Sequence, residues 1–224
     1  MPRRLILHVG PGRTGTSALQ TMFCRHVDYL ATHGVHFPRW PGFEDVAAGA
    51  TASGNGGAIA ALIARDGASR YYTRDDGLRA LRCLYETHDR IVLYSSEAMA
   101  LFENERLAFA AELAAAAGYR TQAVYYLRDE SDYASSVFAR SAAMGRTTKA
   151  RENYLRKYVP PFARHLRGLR AVLGEANVIV RDYDFARADL FGDFCVNVLG
   201  IARPGGEMPW LNSSADQALK RTGT

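Results

Sequence analysis

The chain has 224 residues, 48% of them hydrophobic and 23% charged, enough to bury one substantial core and to form a single domain over 1–224. No stretch reaches the roughly 18 uninterrupted apolar residues that a membrane-crossing helix needs. The net charge is +5, from 28 Lys and Arg against 23 Asp and Glu, with no block of like charge, which suits an anionic ligand and gives no reason to expect nucleic acid.

The N-terminal Met1-Pro2-Arg3-Arg4 leads straight into a short strand without the long apolar region of a signal peptide, so the expected compartment is the cytoplasm. Cys24, Cys83 and Cys195 are widely spaced and odd in number, which fits reduced core residues better than a disulfide framework or a zinc site.

Residues 5–9, Leu-Ile-Leu-His-Val, read as a strand, followed by Gly10-Pro11-Gly12-Arg13-Thr14-Gly15-Thr16-Ser17 and a helix over about 16–31 with Leu19, Phe23, Val27 and Leu30 on one face. A helix start offers free backbone N–H groups and a positive dipole end, and glycines let an anion come close. The stretch is therefore a phosphate cradle, with Thr14, Thr16 and Ser17 as extra donors. It is not the triphosphate loop G-x-x-x-x-G-K-[ST], because Thr16 stands where that loop has lysine and the cation is Arg13.

An extended piece over 34–37 comes next, then an aperiodic Gly, Ala, Ser and Pro-rich stretch, 39–57, that reads as a long surface loop. Helices are expected at about 58–65, 74–88, 104–117, 130–143, 150–172 with a break at Pro160-Pro161, and 186–199. Further strands are expected at 90–94, 121–127 and 177–181. This alternation predicts an α/β fold, a three-layer sandwich around a central, mostly parallel sheet, with ligands at the carboxyl ends of the strands.

Pro11-Gly12-Arg13-Thr14-Gly15-Thr16-Ser17 resembles the P-K-[ST]-G-[ST]-[ST] loop of sulfotransferases, with Arg13 in place of lysine. Leu127 to Ser136 resembles the R-x-P-x-D-x-x-x-S element of the same family: Arg128, Asp132 and Ser136 keep the spacing and the proline is missing. Val178 to Phe185 is similar to the family's late strand, which implies that Tyr183 contacts the adenine. Trp210 to Ser214 resembles the C-terminus of bacterial members, and Arg203, Lys220 or Arg221 could stand in for a missing Arg-Lys-Gly loop.

The resemblance implies a P-loop-like sulfotransferase fold and the donor 3′-phosphoadenosine 5′-phosphosulfate (PAPS), held by Gly12, Arg13, Thr14, Gly15, Thr16 and Ser17 at one end and by Arg128 and Ser136 at the 3′-phosphate. Arg13 would meet the negative charge that builds on the leaving phosphate. The general base would be Glu97, at the carboxyl end of the strand 90–94, with His36 as second candidate and His8 as a third. The acceptor would be a carbohydrate, lipid or small metabolite, bound by 39–57 and 142–161. No His, Cys, Asp and Glu grouping has metal-ligand spacing, so no metal is expected. Two other readings stay open: a kinase-like P-loop phosphotransferase, and a non-catalytic nucleotide-binding protein of the same fold.

Overall fold

Side chains alternate along β1 (Arg3–His8), so Leu5 and Leu7 face one side of the sheet while Ile6 and His8 face the other, and all four are buried. A strand apolar on both faces needs cover on both. The computed structural model, which describes residues 2–65 and 71–205, shows how the chain supplies it. The sheet holds β1, β2 (Val35–His36), β3 (Ile91–Ser95), β4 (Tyr119–Leu127) and β5 (Val178–Asp182), all parallel, in the order β2-β3-β1-β4-β5.

Helices α1 (Thr16–Arg25) and α2 (Val27–Thr32) join β1 to β2; α3 (Phe43–Ala47), α4 (Gly57–Ile63) and α5 (Arg74–Glu86) lead on to β3. A 3-10 turn, Glu97–Leu101, and α6 (Asn104–Ala116) lead to β4. Next, α7 (Glu130–Ala143), α8 (Arg151–Lys157) and α9 (Phe162–Leu173) lead to β5, and α10 (Tyr183–Ala186), α11 (Leu190–Phe194) and a π turn, Cys195–Leu199, follow.

One core lies between the sheet and α4, α5, α6 and α9, where Leu5, Leu7 and Tyr125 meet Ile59, Leu84, Leu107 and Leu169. The other lies between the sheet and α1, α3 and α11, where Ile6 and Val124 meet Phe23, Val46 and Phe194. The result is the expected three-layer α/β sandwich. Strand order turns about β1: the chain fills β2 and β3 on one side, then β4 and β5 on the other. The loops after β1, β3 and β4 therefore open together at the carboxyl edge, where such sheets bind ligands.

The stretch 39–57 is not wholly a surface loop. It contains α3, whose Phe43 and Val46 are buried, and it ends in a buried latch at 54–57. Because β2 is two residues long, the carboxyl half of β3, paired with β1 on one side, lacks a strand neighbour on the other. Asn55 takes that place: its Nδ2 donates to Leu93 O (2.9 Å) and its Oδ1 accepts from Ser95 N (2.8 Å). Gly54 makes this possible at φ +72°, since a Cβ there would sit 2.2 Å from Ser95 O. Asn55→Ala strands a buried donor and a buried acceptor and should cost about 2–4 kcal/mol. Urea unfolding should show a lower midpoint at an unchanged slope.

Candidate active site

The loop after β1 runs from Val9, whose N–H bonds Val124 O at 2.9 Å, into α1. α1 starts at Gly15 without a side-chain cap, and among the described residues no backbone carbonyl accepts from the amides of Thr16, Ser17 and Ala18. Thr16 Oγ1 is buried and also unpaired, whereas Thr14 Oγ1 donates to Pro11 O at 2.8 Å. Ser17 is half-buried beside them. The loop thus offers unspent donors at the positive end of a helix dipole.

Arg13 has φ +76°, and no other described non-glycine residue has positive φ. This backbone turn sends its side chain towards α7, where Nε donates to Ser136 Oγ at 2.8 Å. Arg128, at the end of β4, donates from Nη1 to Arg13 O at 3.1 Å, and its buried Nε has no partner. The Tyr183 ring lies against Gly15, with the Arg128 guanidinium 5.4 Å from its centroid. Residues drawn from the ends of β1, β4 and β5 and from α7 are thereby brought into one cluster.

Glu97 enters from the end of β3. A Cβ on Gly12 would stand 2.8 Å from Glu97 Oε2, so a larger residue there would push the carboxylate aside. Glu97 is exposed, yet protein atoms crowd its carboxylate. Desolvation raises its pKa above the ordinary carboxylate range, and the charges of Arg13 and Arg140 only partly counter this. The Arg13 pKa is lowered by burial and by its neighbours Arg140 and Arg128.

Arg140 has no family motif behind it, and the sequence reading missed it. The available signal was its place four residues after Ser136 on the same face of α7. His36 is not brought to the cluster. It pairs with Val92, three residues short of the end of β3, and its Nδ1 lies 3.8 Å from Asp89 Oδ2. Arg203 is ion-paired to Asp189, while Lys220, Arg221 and Trp210 to Ser214 lie outside the described residues.

His8 is fully buried beneath the loop, with Nδ1 2.9 Å from Ser95 Oγ and Nε2 unpaired. Burial lowers its pKa from 6.5 to about 4. The folded state therefore binds this proton less readily than the unfolded one, and stability is lost as pH falls from about 6.5 to 4, by up to about 3 kcal/mol. Urea unfolding at pH 7 and pH 4 should show that loss. His8→Gln should lack this share of it, and an unchanged pH dependence in the variant would remove His8 from the account.

No protein-family model matches the chain, and no curated protein matches it. Among solved structures, the crystal structure of a sulfotransferase from Alicyclobacillus acidocaldarius aligns over 99% of this chain and 91% of that one, with a TM-score of 0.55 and 18% identity. The chain therefore has a sulfotransferase-like α/β fold.

Proposed function

We propose that the protein is a PAPS-dependent sulfotransferase that passes a sulfuryl group to a hydroxyl, or less readily an amine, of a carbohydrate, lipid or small-metabolite acceptor. The observation that carries this reading is the convergence of Arg13, Arg128 and Ser136 on the uncapped start of α1, with the Glu97 carboxylate against Gly12. The unpaired Thr16 Oγ1 and Arg128 Nε suit a ligand with two separate phosphate-type groups. The loop over Gly12–Ser17 would hold one group, Arg128 and Ser136 the other, and Tyr183 would lie by the base. The three free cysteines suit a reducing cytoplasm.

When bound, the donor supplies an activated sulfuryl group on a phosphate that departs readily. Arg13, permanently charged, stabilises the negative charge gathering on the departing oxygen and cannot readily give it a proton. Glu97 takes the proton from the acceptor hydroxyl, and its raised pKa makes it a stronger base than an ordinary carboxylate. Chemistry of this kind rests on positioning and electrostatics, as in phosphoryl transfer.

Calorimetry with 3′-phosphoadenosine 5′-phosphate against ATP tests the donor, and transfer of labelled sulfate from PAPS to a hydroxyl and amine panel tests the reaction. The adenosine bisphosphate should bind more tightly, and label should reach at least one acceptor. Preference for ATP would favour the phosphotransferase reading. Tight binding without transfer would favour a non-catalytic nucleotide-binding protein.

A further inference from the structure

The charge excess of the whole chain sits in one segment. Residues 140–157 hold Arg140, Arg146, Lys149, Arg151, Arg156 and Lys157 against Glu152 alone, six of the 28 cations and one of the 23 acids, so the rest of the chain carries 22 of each sign. Neutral residues separate most of the six, which is why no block of charge stands out in the sequence.

All six side chains are exposed, and among the described residues none has an ion-pair partner, although Arg39, Arg79 and Arg170 do. Arg151 and Arg156 donate only to neutral atoms, Ser135 Oγ at 3.0 Å and Asn153 Oδ1 at 2.8 Å. Such a gathering of cations repels itself, and a bound anion offsets the repulsion.

This surface begins at the catalytic cluster. Arg140 is one turn beyond Ser136, and its charge acts on both Arg13 and Glu97. It continues onto α8, which is fixed to α7 by a row of rings: Phe138 to Tyr154 at 5.2 Å, Tyr154 to Tyr158 at 5.5 Å and Tyr158 to Tyr133 at 6.3 Å. Tyr154 and Tyr158 turn onto α7, so α8 has no outward rings for bases to stack on; the large apolar side chains exposed beside it, Met144 and Val159, stand apart and do not make the continuous apolar face that enters a membrane. A carbohydrate carrying carboxylates or sulfates offers both repeated charge and an acceptor hydroxyl.

We propose that the acceptor is a polyanionic carbohydrate, bound along the end of α7, the 144–150 segment and α8, with Arg140 seating an anionic group beside the reacting hydroxyl. This rests on the sulfotransferase reading and names its substrate class.

The probe is hexameric oligogalacturonate against its full methyl ester, which keeps the backbone and loses the charge, titrated by calorimetry at two salt concentrations. The acid should bind at least about tenfold more tightly at low salt, and its advantage should shrink at high salt. Arg140→Ser should reduce that advantage, and Arg146→Ser/Arg151→Ser/Arg156→Ser should abolish it, while the triple variant keeps its affinity for 3′-phosphoadenosine 5′-phosphate.

Equal binding of acid and ester, or acid binding that survives the triple variant, overturns the proposal. So does stronger charge-dependent binding to phosphatidylglycerol vesicles, which would make the surface a membrane contact. A neutral acceptor from the transfer panel whose KM ignores both salt and Arg140→Ser overturns it as well. Failure of 3′-phosphoadenosine 5′-phosphate to bind the wild type would instead remove the sulfotransferase reading, with the charge-dependent binding judged separately.

Discussion

Glu97→Gln is expected to lower kcat for sulfuryl transfer by about 10²–10⁴-fold, the usual contribution of a positioned base. The amide fills the same space against Gly12 but cannot accept the proton. Donor-product affinity, read by calorimetry with 3′-phosphoadenosine 5′-phosphate, should stay close to wild type, because a group that acts on the acceptor contributes little to donor binding. In the wild type, kcat/KM should fall on acidification through a limb displaced upward from the ordinary carboxylate range, since desolvation by the surrounding protein favours the protonated form of Glu97. The variant should lack that limb. Full activity in Glu97→Gln would move the base to another residue.

Arg13→Ala should cost about 10²–10³-fold in kcat, the scale seen when one preorganised charge stabiliser is removed. Folding could confuse this result, because residue 13 sits at φ +76° and its side chain ties the loop to Ser136. Arg13→Gly separates the two effects. It removes the same cation while relaxing the left-handed backbone, and should be about 1 kcal/mol more stable than Arg13→Ala in urea unfolding. Both variants should be equally inactive. Recovery of activity in Arg13→Gly would mean that loop geometry, and not the guanidinium, supports transfer.

The sequence was most legible where periodicity and punctuation agree. The spacing over 130–143 matches α7, and the Pro160-Pro161 break separates α8 from α9. It was least legible where tertiary contacts decide. α3 is five residues long with two buried positions, too short to show a period. The helix expected at 186–199 is divided by Asp189, whose side chain caps Gly192 N and starts α11 afresh, and it ends in a π turn.

The same contrast runs through the site. That Arg13, Arg128 and Ser136 would come together could be read from motifs whose residue types and spacing follow strand ends and a helix start. His36 was named from its nearness to a strand, but which end of the sheet a two-residue strand reaches depends on register, which spacing does not encode. Arg140 was missed because an arginine on an exposed helix face is ordinary until the fold shows what stands opposite it.

The Asn55 latch has a consequence for how such a protein can diversify. Besides bonding β3, Asn55 Nδ2 reaches Pro38 O at 3.3 Å, so the chain leaves the sheet edge near Pro38 and returns to the same point. Both ends of the excursion are pinned, and Phe43 and Val46 root its first half in the core. Residues 48–53, mostly exposed, lie between these anchors, so a change of length there is taken up away from β3 and the Glu97 that follows it. Grafted segments in that interval would offer a route to new acceptors on an unchanged donor platform.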